Sequence, residues 1–244
     1  MEVTNKSRRT AKKWRWSRGK VSLAVVVVVV TIFAFIWEAH LNRRVHEYEG
    51  YLCLVEVQRQ LDELYWITPD FLTVNRYSRP GTRIYEVNAI VIHYVANPGT
   101  TADQNRRYFE SLATRGYRFA SSNFIIGLDG EIVQCVPVYE IAFASNHRNA
   151  DTVSIETCHP DATGQFADET YASMVRLTAW LVHAFGLTAD DVIRHYDITG
   201  KMCPRYFVVN EAAWYAFRAD VADALEQLEY ELAHERSRME TQRS

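Results

Sequence analysis

The chain has 244 residues, 48 % of them apolar and 23 % charged, which is enough for one well-buried domain plus extra segments and excludes both a disordered polar chain and a small disulfide scaffold. Its net charge of −3 conceals an asymmetry: the first 20 residues hold eight Lys and Arg against one acid, leaving 19 basic against 29 acidic groups in the rest. A globular part with that balance does not grip nucleic acid by charge, so no nucleic-acid partner is expected.

Residues 1–20 read as a basic cytoplasmic tail carrying Lys6, Arg8, Arg9, Lys12, Lys13, Arg15, Arg18 and Lys20. A nucleic-acid arm would look similar, but the neighbouring apolar run makes anionic lipid and membrane topology the simpler account. From Val21 to Trp37 the run VSLAVVVVVVTIFAFIW carries no charge, and as a helix it would be roughly 26 Å long, close to the hydrocarbon thickness of a bilayer. Valine is a poor helix former in water, yet in lipid every backbone group must bond internally, so Val25 to Val30 read as part of a transmembrane helix. A secretory signal shares these features, but the run is long for one and no small-x-small cleavage site precedes Glu38. The expectation is an uncleaved single-pass anchor in the cell membrane. The basic flank keeps the N-terminus cytoplasmic and sends the rest across, with Trp14, Trp16 and Trp37 at the interfaces.

Residues 38–68 read as a helical stalk or linker, with Val45, Tyr48, Leu52 and Val55 in one register and Val57, Leu61 and Leu64 in another. Neither register lasts long enough to specify a coiled coil, so self-association is not called for. Pro69, Pro80 and Gly81 then announce a globular domain over 69–235, followed by a C-terminal tail at 236–244. Within the domain, Val87 to Val95 is a continuous apolar run of the kind buried on both faces of a sheet, and Thr101 to Leu112 reads as helix. FIIGLDGEIVQCV signals a hairpin because Asp129-Gly130 supplies positive φ angles for a tight turn. Thr152 to Cys158 follows as a strand, Asp168 to Ala184 as a helix closed by Gly186, and Thr188 caps a short turn before Val192. A long last helix after Asn210 carries Trp214, Phe217, Val221, Leu225, Leu228 and Leu232 on one face. The fold class is α/β: a mixed central β-sheet flanked by helices, preceded by a single transmembrane helix and a helical stalk.

Three residues suggest chemistry. His93 leaves a buried strand for a loop, while His195 and Cys203 stand eight residues apart across a turn at Thr199-Gly200. Imidazole and thiolate suit Zn²⁺, and three ligands from separate elements leave a fourth tetrahedral position for water, the mark of a catalytic rather than a structural site. Cys203 acting as a thiol nucleophile paired with either histidine is the alternative. Cys135 and Cys158 sit among apolar neighbours and read as buried small hydrophobes, although a bridge between them is conceivable in an oxidising exterior.

Four blocks, IVIHYVANPG, SSNFIIGLDGEIVQCVP, ASNHRNADTVSIETC and VIRHYDITGKMCP, occur in an order and spacing that resembles the zinc-dependent N-acetylmuramoyl-L-alanine amidases of the phage-lysozyme and peptidoglycan-recognition-protein type. The resemblance spans roughly Asn88 to Phe207. It implies that His93, His195 and Cys203 bind zinc, that the substrate is peptidoglycan, and that the amide between N-acetylmuramic acid and L-alanine is hydrolysed. Glu156 matches the family's general base, and Lys201 matches a lysine facing the reacting carbonyl. Asn123, Asn146 and His147 are expected to touch substrate, the last two from a polar loop walling the groove. One departure stands out: Ser121, Ser122 and Asn123 occupy a place where many members carry a catalytic tyrosine, which shifts proton work to Glu156. A non-catalytic peptidoglycan receptor on the same fold is the rival expectation, and Cys203, which such receptors typically lack, favours the enzyme.

Overall fold

The structure, a computed structural model, describes residues 18–243, with side chains within 23–242. Lys6, Arg8, Arg9, Lys12, Lys13, Arg15, Trp14 and Trp16 lie outside the described residues, as do the side chains of Arg18 and Lys20. Helix α1 spans Arg18–Asp62, and the chain divides between His46 and Glu47 into two compact units. In the first unit Val25 to Val30 are between 43 % and 59 % exposed, so none of the described residues covers this apolar surface. Among the described residues α1 is the one helix long and apolar enough to cross a membrane, with a mean hydropathy of 2.3 over its most apolar stretch.

The second unit begins inside the expected stalk. Leu54, Val57 and Leu61 are 1–4 % exposed and belong to the main core. Gln58 is buried beside them, exchanging amide hydrogen bonds of 3.0 and 2.9 Å with Gln134 and accepting from the Val138 amide at 3.0 Å. The reading of 38–68 as a spacer therefore fails for its last part, which is tied to the sheet by apolar burial and a satisfied amide pair. Strand β1, Ile67–Pro69, was hidden by its proline; Pro69 is tolerated because β1 is an outer edge of the sheet.

The sheet contains six strands in the order β1-β4-β3-β5-β2-β6, with β2 at Ala89–Tyr94, β3 at Phe124–Ile126, β4 at Ile132–Gln134, β5 at Thr152–Thr157 and β6 at Val192–Arg194. Only β3 and β4 pair antiparallel, which makes the sheet mixed as expected. Their connection is longer than a two-residue turn: Gly127 N–H donates to the Glu131 carbonyl, and of the loop residues Gly130 alone has positive φ, +79°. A Cβ there would meet the Glu169 carbonyl at 2.7 Å, so the next helix can approach closely only over glycine.

Helix α2, Ala102–Arg115, opens on a capping box between Thr101 and Gln104 and closes on Gly116 at φ 64°. Helix α3 is Asp168–Phe185, followed by the short helices α4, His195–Thr199, and α5, Arg205–Val209. The last helix, α6, Glu211–Arg243, continues through the stretch expected to be a tail from 236. Helices α3 and α6 cover one sheet face, packing Met174, Leu177, Phe217 and Val221 on Ile90, Ile92, Phe124, Val153 and Ile155. On the other face α2 lays Phe109 and Leu112 against Ile125, Cys135 and Cys158, leaving the carboxyl ends of β5 and β2 bordering a cleft.

Candidate active site

Strand register sets the floor of this cleft. Parallel pairing places His93 directly opposite Glu156, with Ile92 opposite Arg194, the residue before His195. Partners in a parallel ladder point to the same face, so His93 and Glu156 emerge together on the face away from α3 and α6. Cys203 is brought back by the turn after α4: Gly200, at φ 75°, ends the helix, Tyr196 N–H donates to the Cys203 carbonyl at 2.8 Å, and Cys203 N–H to the Lys201 carbonyl at 2.7 Å. Asp197 takes the Arg194 guanidinium at 2.8 Å and its backbone N–H at 2.8 Å, so it braces the turn.

One ligand atom each from His93, His195 and Cys203 lie within 4.8 Å of one another, all on buried residues. His93 Nδ1 is 3.7 Å from Cys203 Sγ, and the two imidazole rings are 4.7 Å apart at 60°. His195 Nδ1 is buried with no hydrogen-bond partner, a cost a folded protein rarely accepts unless a ligand meets the atom. Burial, helped by the charges of His195 and Lys201, holds His93 well below the usual imidazole range, and burial with Lys201 lowers His195 to about 4. Both rings are thus neutral, the form that coordinates a metal. Burial and the nearby Glu156 carboxylate push the Cys203 thiol up to about 12. A nucleophile and a metal ligand both need the thiolate, and a bound cation would supply the charge that favours it while also meeting the unpartnered His195 Nδ1, so these residues fit a metal ion better than a Cys-His dyad.

From residue 83 to residue 206 the chain matches the family described as N-acetylmuramoyl-L-alanine amidase. The chain belongs to that family. It is 32 % identical over 168 residues to a probable N-acetylmuramoyl-L-alanine amidase of Bacillus licheniformis, covering 64 % of this chain and 47 % of that protein. To the N-acetylmuramoyl-L-alanine amidase BlyA of Bacillus subtilis (strain 168) it is 30 % identical over 172 residues, covering 62 % and 45 %. The chain therefore spans about half the length of the curated relatives it matches. Among solved structures, the catalytic domain of XlyA superposes with a TM-score of 0.54 at 27 % identity, over 64 % of this chain and 98 % of that one.

In this amidase-family cleft, of about 680 Å³, the walls come from Arg118, Phe119 and Phe143 on one side and Thr199, Gly200 and Lys201 on another. Lys201 is exposed at the rim. Glu156 Oε2 is buried without a hydrogen-bond partner, and burial, partly offset by Lys201, raises its carboxyl to about 8. Asn146, expected to touch substrate, lines the cleft, and its Oδ1 lies 2.9 Å from His195 Nε2. His147 does not line the cleft. Asn123 is a correction. It is 1 % exposed, its amide group donating to the Val136 and Pro137 carbonyls and its oxygen accepting from Ser154, so nothing remains for substrate. Arg118 and Phe119 lie outside the four blocks, and Ser145, inside one of them, gave no separate signal. Cys135 and Cys158 are free, buried thiols.

Proposed function

We propose that this protein is a membrane-anchored, zinc-dependent N-acetylmuramoyl-L-alanine amidase acting on peptidoglycan in wall remodelling or degradation. The observation that carries the reading is the meeting of His93, His195 and Cys203 beside an unpartnered Glu156 at the floor of one cleft. Its family membership and the activity for which its relatives are named support the substrate. The three residues would hold the zinc, which when bound acidifies water and polarises a carbonyl.

The remaining steps belong to the chain. The cleft presents the scissile amide above Glu156, whose carboxyl, raised to about 8, is matched to proton transfer near neutral pH. Glu156 takes the proton of the attacking water as its oxygen bonds to the carbonyl carbon. The Lys201 ammonium, at the rim, bears part of the negative charge gathering on the carbonyl oxygen. When the C–N bond breaks, Glu156 returns the proton to the leaving nitrogen, giving a free lactyl carboxylate and a free L-alanine amino group. Anchoring is supported by the exposed apolar part of α1, and the basic flank by the positive-inside rule gives a cytoplasmic N-terminus with the domain outside.

The test uses the full chain in detergent micelles with purified peptidoglycan, scoring new L-alanine amino termini by mass spectrometry. The expected result is their appearance with wild-type protein and their loss with Cys203→Ala. Wall binding without any amide cleavage would replace the enzyme with a receptor.

A further inference from the structure

Resting on the zinc reading above, we infer that Ser145 and Asn146 are positioning residues, two consecutive side chains that hold both imidazoles by their Nε2 atoms and thereby turn both Nδ1 atoms toward the ligand point. Asn146 Oδ1 lies 2.9 Å from His195 Nε2, and Ser145 Oγ lies 3.4 Å from His93 Nε2. An amide oxygen only accepts, so His195 carries its proton on Nε2 and its Nδ1 lone pair is left free. That Nδ1 is the buried atom without a partner. His93 matches it: with Nε2 turned to Ser145, its Nδ1 faces Cys203 Sγ at 3.7 Å.

The backbone explains how neighbours in sequence serve two different histidines. Asn146 sits at φ 55°, in the left-handed region that asparagine tolerates better than most residues, so the chain turns sharply between the two side chains. The segment is held at both ends. Asn149 Oδ1 accepts from Ser145 N–H at 2.6 Å and Ala144 N–H at 3.2 Å, and Thr152 Oγ1 at the start of β5 donates to the Arg148 carbonyl at 2.8 Å. A loop so fixed sets the ring angle of both ligands, and through the Asn146 oxygen the tautomer of His195, before any metal arrives.

Two readouts on the full chain in micelles test the clasp. The ¹⁵N spectrum of labelled imidazoles in chelator-treated protein is expected to show an Nε2–H tautomer at His195, with Asn146→Ala disturbing the His195 signals and Ser145→Ala disturbing those of His93. Competition for Zn²⁺ against a chromophoric chelator is expected to show affinity reduced roughly 10–100-fold in Asn146→Ala and recovered in Asn146→Asp, which keeps an acceptor. Asn146→Gly, which fits the backbone and lacks the acceptor, should lose affinity like Asn146→Ala, separating the hydrogen bond from strain. An Nδ1–H tautomer at His195, or wild-type zinc affinity in Asn146→Gly, overturns the inference. Absence of zinc uptake by the wild-type chain would remove the metal reading instead, and the tautomers alone then decide the clasp.

Discussion

The two faces of the central sheet are built from the same strands and do opposite work. On the α3 and α6 side, Ile90, Ile92, Phe124, Ile126, Val153 and Ile155 are all 0 % exposed and wholly apolar. One residue along each strand, the other face carries His93, Asn123, Ser154 and Glu156. Strand alternation makes this division possible: a face that holds the fold can be packed to full density while its reverse keeps polar groups buried at a cost. Asn123 and Ser154 satisfy each other, whereas Glu156 Oε2 and His195 Nδ1 are left without protein partners. Two of the four buried side-chain atoms without a partner among the described residues thus lie at the candidate site, the others being His159 Nε2 and Thr178 Oγ1.

Substitutions on the two faces should therefore separate activity from stability. The largest effect is expected for Glu156→Gln, a drop of roughly 10²–10⁴-fold in kcat with no loss of melting temperature, because the role proposed for the carboxylate is proton transfer and not packing. Lys201→Met should lower kcat by roughly 10²–10³-fold in the same assay, since an exposed rim residue contributes charge rather than burial. A lower melting temperature in either variant would break the division. Ile92→Ala, from the opposite face, is expected to reduce unfolding free energy by about 2–5 kcal/mol in urea titrations. A further effect is on pH. In chelator-treated protein Glu156 stands at about 8 against a usual 4.5, so between those values the folded chain holds a proton the unfolded chain has released. Stability should fall as pH rises through that window, and Glu156→Gln should flatten the slope in denaturation at about pH 5 and about pH 9.

Much of this division was legible in the sequence, because it rests on residue type and period. The uninterrupted apolar β2, the helix ends at Gly116 and Gly186, and the trio His93, His195 and Cys203 all announce themselves locally. Pairings set by tertiary structure did not. Nothing in the spacing of Val57 and Leu61 distinguishes a stalk from a core helix until Gln58 meets Gln134 from 76 residues away. Strand β1 is three residues long and ends in proline, below any periodic signal. Asn123 and Asn146 look alike as polar residues near the motifs, yet one is consumed by Ser154 and the other clasps His195, a difference decided by strand register and one positive φ.

The most direct test of the account is a zinc titration of the chelator-treated full chain in micelles, following release of L-alanine amino termini from peptidoglycan. Cleavage should be absent without metal and return to its full rate at one equivalent of Zn²⁺ per chain. Undiminished cleavage by the metal-free protein would contradict the account and move the chemistry to the Cys203 thiol.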